Sequence, residues 1–313
     1  MSSPSSSPSS NALLVTGTIG IDTVETPIAR VDRVLGGSAA YFAAAASRLG
    51  PVRLVGVVGD DWPAEHRATL TTLRDVDLRG LETRANGKTF AWGGKYLANM
   101  NDRETLFTEL GVVADAPPKV PAAFADSSYV FLGNTHPDVQ LGLLEQVPSR
   151  TLAVADTMDL WINIAHDSLV RLLGKVDGIM LNDSEATHLT GIRNAVTAGR
   201  RILAYGPSFV VVKKGEHGAV LVHRDGVAVV PAFPAEEAMV VDPTGAGDTF
   251  AGGFMAHIAR SQSSDLATMQ TALSWGTVMA SFTISSFSLE AIAKATSDDL
   301  AARYQRFAQL ARV

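Results

Sequence analysis

The chain has 313 residues, 46% of them hydrophobic, which is enough to form the core of one large α/β domain or two smaller domains. Its formal net charge is -6 and its 26 Lys and Arg residues are scattered, so the basic surface of a nucleic-acid-binding protein is not predicted. The absence of cysteine excludes disulfides, thiolate metal sites and cysteine nucleophiles, and it suits the reducing cytoplasm where we expect the protein.

The first ten residues are almost all Ser and Pro and contain no basic segment, which is typical of a disordered tail and not of a signal peptide. Beyond them, no run of about 18 apolar residues occurs without a Gly, Pro or charged residue, so no transmembrane helix is predicted. We therefore expect a tail at 1–10 and a single domain at 11–313, with no membrane contact.

Short apolar runs alternate with longer helical stretches along the chain. Continuous apolar runs are typical of strands that are buried on both faces, and the helix candidates between them end at glycine. The pattern predicts an α/β fold with a doubly wound, mostly parallel sheet flanked by helices, whose ligand sites lie at the carboxyl ends of the strands. The strand candidates are 52–58, 129–132, 152–155, 176–181 and 209–212, and the helix candidates are 38–49 and 184–190.

Two segments depart from this rhythm. Residues 22–35 and 88–110 alternate in polarity and contain polar turns, such as Asn-Met-Asn-Asp at 99–102. They predict a small β-sheet lid. Trp92 lies in the second segment, where it would either close over a substrate or pack against its own sheet.

The strongest chemical signal is the run Asp-Pro-Thr-Gly-Ala-Gly-Asp-Thr-Phe at 242–250. Phe250, Phe254 and Ile258 recur every four residues, so a glycine-rich turn is predicted to open an amphipathic helix. Free amides and the helix dipole make such a start an anion site. Asp248 at this place is either an N-terminal cap or a base that faces a substrate hydroxyl, and the local residues leave both interpretations open.

Competing motifs lack the residues that their chemistry requires. Gly-Lys-Thr at 87–89 resembles the end of a P-loop, but Glu82 stands where the first glycine is needed. The segment 17–20 lacks the glycine spacing of a dinucleotide-binding turn, and no His-Glu-x-x-His motif occurs. Dehydrogenase and zinc-enzyme functions are therefore disfavoured.

The run at 242–250 resembles the C-terminal signature of the ribokinase-like carbohydrate and nucleoside kinases. Gly-Gly-Ser-Ala-Ala at 36–40 is similar to their N-terminal glycine signature, and Asn-Asp-Ser-Glu at 182–185 is similar to their Asn-x-x-Glu element. The resemblance extends from about residue 11 to the C-terminus. It implies a ribokinase-like fold and transfer of the γ-phosphate of ATP to a hydroxyl, with a primary hydroxyl preferred.

The resemblance also implies roles for single residues. Asp248 would take the proton of the acceptor hydroxyl, while the amides of Gly245, Ala246 and Gly247 would hold the charge of the transferred phosphoryl group. The residues implied to contact ATP are Asn182, Lys213, Gly215 and Thr244.

Two cation sites are implied as well. Glu185, with Asn182, would hold Mg²⁺ through water, although a Glu in a first helical turn often only complements the helix dipole. Asp242 matches a position that binds an activating K⁺ in some relatives, but the later loop at 285–288 lacks the glycine that relatives tend to have there.

The residues expected to bind the substrate match the family pattern less completely than those expected to bind ATP. Asp22 matches the acid that binds substrate hydroxyls in the family, and Gly36 and Gly37 would let backbone amides approach the same ligand. Tyr41 stands where sugar-specific relatives have Asn; its ring would stack on a base or a cyclitol, or else only pack inward. Asn134 and Asp156 end two predicted strands, where they would bind substrate or cap the next helix.

The sequence thus predicts a kinase of a sugar or related polyol. The alternatives are a nucleoside kinase, for example of adenosine, or a cyclitol kinase of the same family. A more distant alternative is a ligand-binding protein that has kept the fold and lost turnover. The expected partner is a small-molecule substrate and not a nucleic acid, and the resemblance also implies a homodimer that pairs through the lid.

Overall fold

The computed structural model describes residues 12–311, so the predicted tail at 1–10 lies outside the described residues. The strands in this part of the chain are β1 Leu13–Thr16, β2 Gly20–Glu25, β3 Arg30–Gly36, β4 Val52–Gly59, β5 Val76–Arg84, β6 Phe90–Tyr96, β7 Arg103–Glu109, β8 Tyr129–Leu132, β9 Leu152–Asp156, β10 Gly178–Asn182, β11 Phe209–Lys213, β12 Ala219–His223 and β13 Gly226–Val230. The α-helices are α1 Ser38–Ala46, α2 Ala64–Thr72, α3 Pro137–Leu144, α4 Asp159–Ile164, α5 His166–Leu173, α6 Asp183–Thr190, α7 Ala195–Leu203, α8 Ala246–Ser261, α9 Leu266–Thr283, α10 Glu290–Lys294 and α11 Ser297–Leu310.

The large sheet has nine strands in the order β13-β12-β11-β10-β9-β8-β1-β4-β5. All neighbouring strands from β11 to β5 are parallel, and only β12 and β13 add antiparallel pairs at one edge. This confirms the doubly wound sheet that the apolar runs predicted. The chain leaves β1 for one half of the sheet and returns to β8 on its other side, so a crevice for ligands forms at the carboxyl ends of these strands.

A separate four-stranded sheet in the order β3-β2-β6-β7 forms the predicted lid. Two antiparallel hairpins meet where β2 pairs in parallel with β6. The polar turn predicted at 99–102 joins β6 to β7, with Met100 in the left-handed region at φ 55°. Every residue of the edge strand β7 is exposed.

The helices α1 and α8 pack closely on one face of the large sheet. All nine residues of α1 are buried, and Phe42 stacks on Phe131 of β8 with 4.4 Å between ring centroids. Gly252 of α8 faces α1, and a Cβ at this position would lie 2.5 Å from the Phe42 carbonyl oxygen. The absence of a side chain at Gly252 therefore allows the two helices to pack closely. Their N-terminal ends are held near one another as a result.

Helix boundaries differ slightly from those predicted. The helix expected at 38–49 ends at Ala46, and hydrogen bonds of the tighter i→i+3 type continue through Leu49. Within residues 12–311, no helix is long and apolar enough to cross a membrane.

Candidate active site

A cavity of about 350 Å³ lies between the carboxyl ends of the large-sheet strands and the lid. Most of the predicted site residues line it, although they come from distant parts of the sequence. Gly36 and Asp242 are the two that do not line it. The predicted residues that do line it are Asp22, Gly37, Tyr41, Asn134, Asp156, Asn182, Glu185, Lys213, Gly215, Thr244, Gly245, Ala246, Gly247 and Asp248.

The start of α8 forms one wall of the cavity. Gly245 is the N-cap at φ 75°, a conformation that favours glycine, and the Tyr41 ring packs against its α-carbon so closely that no side chain fits there. Asp248 lies in the first turn and is not the cap residue, so the capping interpretation of Asp248 is wrong. The predicted helix start is confirmed.

The three amides predicted to bind an anion are not equivalent. The Ala246 N–H donates to the Pro243 carbonyl oxygen at 3.1 Å, because the chain turns tightly as it enters the helix. Among the described residues, the amides of Gly245 and Gly247 have no such backbone acceptor. Of the three amides predicted to bind an anion, those of Gly245 and Gly247 are therefore the more available, and the anion site stays a prediction.

The Asp248 carboxyl is half-buried and lies near the Asp156 carboxylate. Burial, reinforced by the nearby Asp156 carboxylate, raises the pKa of Asp248 to about 7, while Lys213 and Arg103 oppose the rise. A general base works best when its pKa lies near the working pH. The surroundings of Asp248 thus suit a group that accepts a proton near neutrality.

Lys213 and Asp156 form a largely buried ion pair across the floor of the cavity. The Lys213 Nζ lies 3.2 Å from Asp156 Oδ2, and the two side chains are 16% and 6% exposed. Asp156 Oδ1 accepts a hydrogen bond from the Thr157 amide at 2.7 Å. Asp156 does not cap the next helix, because the N-cap of α4 is Met158.

Asn182 and Glu185 form a capping box at the start of α6. Asn182 Oδ1 accepts from the Glu185 amide and Glu185 Oε2 accepts from the Asn182 amide, each at 2.7 Å. The helix-start interpretation is confirmed, and both side chains also line the cavity, so the predicted ligand contacts are compatible with it and stay a prediction. Burial and the Asp156 carboxylate raise the pKa of Glu185 to about 8.

The surroundings of Asn182 and Glu185 decide how Mg²⁺ could be held there. Within residues 12–311, no group of three or more His, Cys, Asp or Glu side chains could hold a metal ion directly. Mg²⁺ usually keeps several waters and binds one or two carboxylates together with phosphates. Glu185 keeps Oε1 outside the capping box, so the site fits an ion that is held mainly by water and phosphate.

The opposite end of the cavity contains Asp22 and Tyr41. Asp22 faces Gly36, where any side chain would overlap its carboxyl group, and it accepts a backbone hydrogen bond from Gly37. Burial, with Asp242 and Asp248 nearby, raises the pKa of Asp22 to about 8. Within the described part of the chain, Asp22 Oδ1 and the Tyr41 hydroxyl are buried without hydrogen-bond partners. A water molecule or the polar group of a ligand would satisfy such atoms.

Asp242 and Thr244 lie behind the α8 start. Asp242 Oδ1 accepts from the Thr244 amide at 2.8 Å, whereas Oδ2 is buried without a partner among the described residues. The Thr244 hydroxyl donates to the Tyr96 hydroxyl of the lid at 3.2 Å. In the later loop Ser288 has φ 55°, the left-handed conformation that glycine adopts more easily, so the loop keeps that backbone turn without glycine.

The lid contributes Trp92, which the sequence singled out, and also Phe90, Tyr96 and Arg103, which it did not. Trp92 lines the cavity with Phe90 and Tyr96 from the same face of β6. Arg103 of β7 pairs with Tyr96, and its guanidinium lies 5.7 Å from the Trp92 ring centroid. The only signal for Arg103 is its register opposite Tyr96, which a single sequence does not reveal.

Asn134 is held by a neighbouring aromatic residue. Its Oδ1 accepts a hydrogen bond from the Trp161 indole N–H at 2.8 Å. Asn134 does not cap the following helix, because the His136 side chain caps α3. Asn134 and Trp161 therefore form one preorganised wall of the cavity.

Comparison with known proteins identifies a kinase family and kinase relatives. The family model described as "pfkB family carbohydrate kinase" matches residues 18–295. A cytidine kinase of Thermococcus kodakarensis is 30% identical over 255 residues, which cover 79% of this chain and 88% of that protein.

Two solved structures share the fold. The nucleoside kinase of Burkholderia thailandensis, in complex with inosine, superposes with a TM-score of 0.76 at 21% identity, covering 94% of this chain and 98% of that one. A putative ribokinase II of Escherichia coli, in complex with ATP and Mg²⁺, has a TM-score of 0.76 at 19% identity, with 94% and 99% covered. At these identities the likeness shows the fold alone.

The buried Asp22 carboxyl predicts an unusual dependence of stability on pH. Its pKa is raised from 3.8 to about 8 by folding, so between these values the folded state holds a proton that the unfolded state has lost. The free energy of unfolding contributed by this group therefore falls as the pH rises from about 4 to about 8. We expect Asp22→Asn to raise the unfolding free energy at about pH 8 by at least about 1 kcal/mol and to flatten its pH slope.

Urea denaturation of both proteins over this pH range measures the effect. Asp167→Asn is the control, because its carboxyl is fully exposed and should leave the slope unchanged. An Asp22→Asn protein with the wild-type pH slope would contradict the prediction.

Proposed function

We propose that this chain, which belongs to the pfkB family of carbohydrate kinases, phosphorylates a primary hydroxyl of a nucleoside. The family match and the kinase relatives establish ATP-dependent phosphotransfer to a sugar or a nucleoside. The choice of a nucleoside is the proposal, and the aromatic lining of the acceptor half of the cavity supports it.

Aromatic side chains line this half of the cavity on both sides. The Trp92 indole lies along its own strand and covers Gly94. A side chain at Gly94 would collide with the indole. Trp161 lies on the large-sheet side. The Tyr41 ring is buried against Gly245, as in the inward-packing alternative, so it offers no free face for stacking. Surfaces such as those of the two Trp rings bind a planar base by stacking, whereas an isolated sugar presents mostly hydroxyls. The 30% identity to a cytidine kinase supports the same choice.

The remaining acceptor groups fit a ribose. Asp22 Oδ1 and the Tyr41 hydroxyl, both buried and without protein partners among the described residues, can hydrogen-bond to ribose hydroxyls. The space that a side chain at Gly36 would need is taken by the Asp22 carboxyl, and that at Gly37 by the backbone of residues 18–19, so these glycines allow Asp22 to lie close to the backbone. These contacts would direct the primary hydroxyl toward Asp248.

Asp248 would accept the proton of that hydroxyl as its oxygen attacks the γ-phosphorus of ATP. The amides of Gly245 and Gly247 would hold the charge on the transferred group, aided by the positive end of α8. Asn182, Gly215 and Thr244 would contact the nucleotide. The lid would exclude water from the reacting groups.

Mg²⁺, when bound, neutralises charge on the ATP phosphates. Glu185 would hold its waters through Oε1, with the Asn182 amide group beside it. The homodimer through the lid and the cytoplasmic location expected from the sequence stay predictions.

A substrate panel tests the acceptor class. With Mg·ATP, we expect faster ADP release with cytidine, adenosine or inosine than with ribose, fructose or myo-inositol. Replacing Trp92 by Ala should raise KM for the preferred nucleoside by about tenfold, because stacking of one base on an aromatic ring contributes about 1–3 kcal/mol. The kcat value should change little, since stacking is similar in the ground and transition states.

Phe107→Ala is the matched control, because Phe107 is an exposed aromatic residue of the lid that does not line the cavity. Faster turnover of a free sugar or cyclitol than of every nucleoside would contradict the proposal. Thermal stabilisation by these compounds without turnover of any would favour the ligand-binding alternative instead.

Replacing Asp248 by Asn tests the base. The amide keeps the shape of the side chain but cannot accept the proton, so kcat should fall about 10²–10⁴-fold while Mg·ADP still binds. The wild-type kcat/KM should rise with pH through about 7, as Asp248 loses its proton. Asp298→Asn removes an exposed acid from the first turn of α11 and should keep full activity. Full activity of Asp248→Asn would refute its role as the base.

We further propose that K⁺ binds near Asp242 and supports the α8 start. The buried, unpaired Oδ2 of Asp242 and the glycine-like turn at Ser288 support this site. Turnover should be higher in KCl than in tetramethylammonium chloride at equal ionic strength, and Asp242→Asn should remove the difference. Equal turnover of the wild-type protein in both salts would refute K⁺ activation.

A further inference from the structure

We propose that Lys213 is a catalytic residue whose ammonium contacts the phosphoryl group in transit, and that Asp156 is the positioning residue that holds it there. The inference rests on the proposed phosphotransfer and does not depend on which acceptor is used. It replaces the expectation that Lys213 only holds the bound nucleotide.

The first observation is the position of the ammonium. Lys213 ends β11 and Asp156 ends β9, so their ion pair spans the end of β10, which lies between them in the sheet. Nζ is also the atom closest to the point that a Cβ on Gly247 would occupy, at 3.0 Å. The ammonium therefore lies against the anion-binding start of α8, between the capping box of α6 and the base.

The second observation is that the ammonium remains charged although it is largely buried. Burial alone lowers the pKa of a lysine, but the carboxylates of Asp156, Glu185 and Asp248 more than offset this and raise the pKa of Lys213. A buried cation interacts more strongly with a developing negative charge than a solvated cation does. Lys213 thus has both the charge and the location that phosphoryl transfer requires.

The third observation is that the Lys213 ammonium has N–H donors available for a ligand. An ammonium has three N–H donors, and among the described residues only Asp156 is an acceptor for Nζ. Lys213 also lines the cavity, so donors remain for a ligand. An ion pair with a purely structural role would not need to border the substrate volume.

Transfer of the phosphoryl group needs no reactant other than ATP and the acceptor. The acceptor oxygen forms a bond to the γ-phosphorus, the bond from that phosphorus to the β,γ-bridging oxygen of ATP breaks, and ADP leaves. The hydroxyl proton passes to Asp248. Lys213 neither gives nor takes a proton, and acts by its charge and hydrogen bonds on the phosphoryl oxygens.

The test compares Lys213→Met with wild type by kinetics and by ligand binding. Loss of one donor to a transition-state charge lowers kcat by about 10²–10³-fold, so we expect a fall of this size. The Kd of Mg·ADP should change by no more than about threefold, because the contact forms mainly in the transition state. The extra thermal stabilisation of the Mg·ADP complex by aluminium fluoride, which mimics the phosphoryl group, should disappear.

Three further variants make the result specific. Asp156→Asn should lower kcat less than Lys213→Met does, and Lys213→Arg should restore part of the activity. The double variant Lys213→Met with Asp156→Asn leaves no unpaired charge from this pair, so it separates catalytic loss from misfolding. Lys294→Met is the matched control, because it removes an exposed lysine that pairs with Glu290 at 2.6 Å.

The outcomes separate this inference from the proposed function. A wild-type protein that bound no Mg·ADP and phosphorylated no acceptor would overturn the function, and the role of Lys213 with it. An active wild type with a Lys213→Met kcat within about threefold would overturn the role of Lys213 alone. A loss seen only in Mg·ADP affinity would make Lys213 a nucleotide-binding residue and would also overturn the proposal.

Discussion

The packing of α8 against α1 is the constraint on which the site depends. Gly252 lets the backbones of the two helices approach, and the Tyr41 ring of α1 packs on Gly245 at the start of α8. The same contact therefore sets the distance between the acceptor end of the cavity, at Gly37 and Tyr41, and the anion-binding end, at Gly245 and Gly247. Because α1 is buried along its whole length, this distance is fixed by the core and not by a mobile loop.

The cavity is electrostatically incomplete without its ligands. Asp22 and Glu185 are buried, Asp248 is half-buried, and the pKa values of all three are raised. Among the described residues, the cationic side chains that line the cavity are Lys213 and Arg103. Buried like charges and unpaired polar atoms reduce the stability of the folded state. Functional sites commonly have this property, because the ligand supplies the missing hydrogen bonds and charge. Substrate hydroxyls and a hydrated Mg²⁺ ion would do so here.

Much of the large sheet could be predicted because its central strands are buried on both faces and appear as apolar runs. The outer strands β5, β12 and β13 were not singled out: β13 alternates between exposed and buried residues, and β5 is mostly half-buried. The start of α8 was predictable for a local reason, since two glycines and the acid lie within four residues. The use of the Ala246 amide by Pro243 was not predictable, because it depends on how tightly the chain turns.

The parts of the site that escaped prediction lie mainly on the lid. The proposed base and anion site come from one short segment at 245–248 and the capping box from another at 182–185, so neighbouring residues in the sequence act together. Trp92 and Arg103 come together only through the register between β6 and β7, which depends on pairing across the 97–102 turn. The proposed reacting groups therefore lie on the large-sheet side of the cavity and much of the proposed aromatic acceptor surface lies on the lid. A sequence motif in this chain identifies the reaction class, whereas the proposed acceptor surface depends on how the lid strands pair.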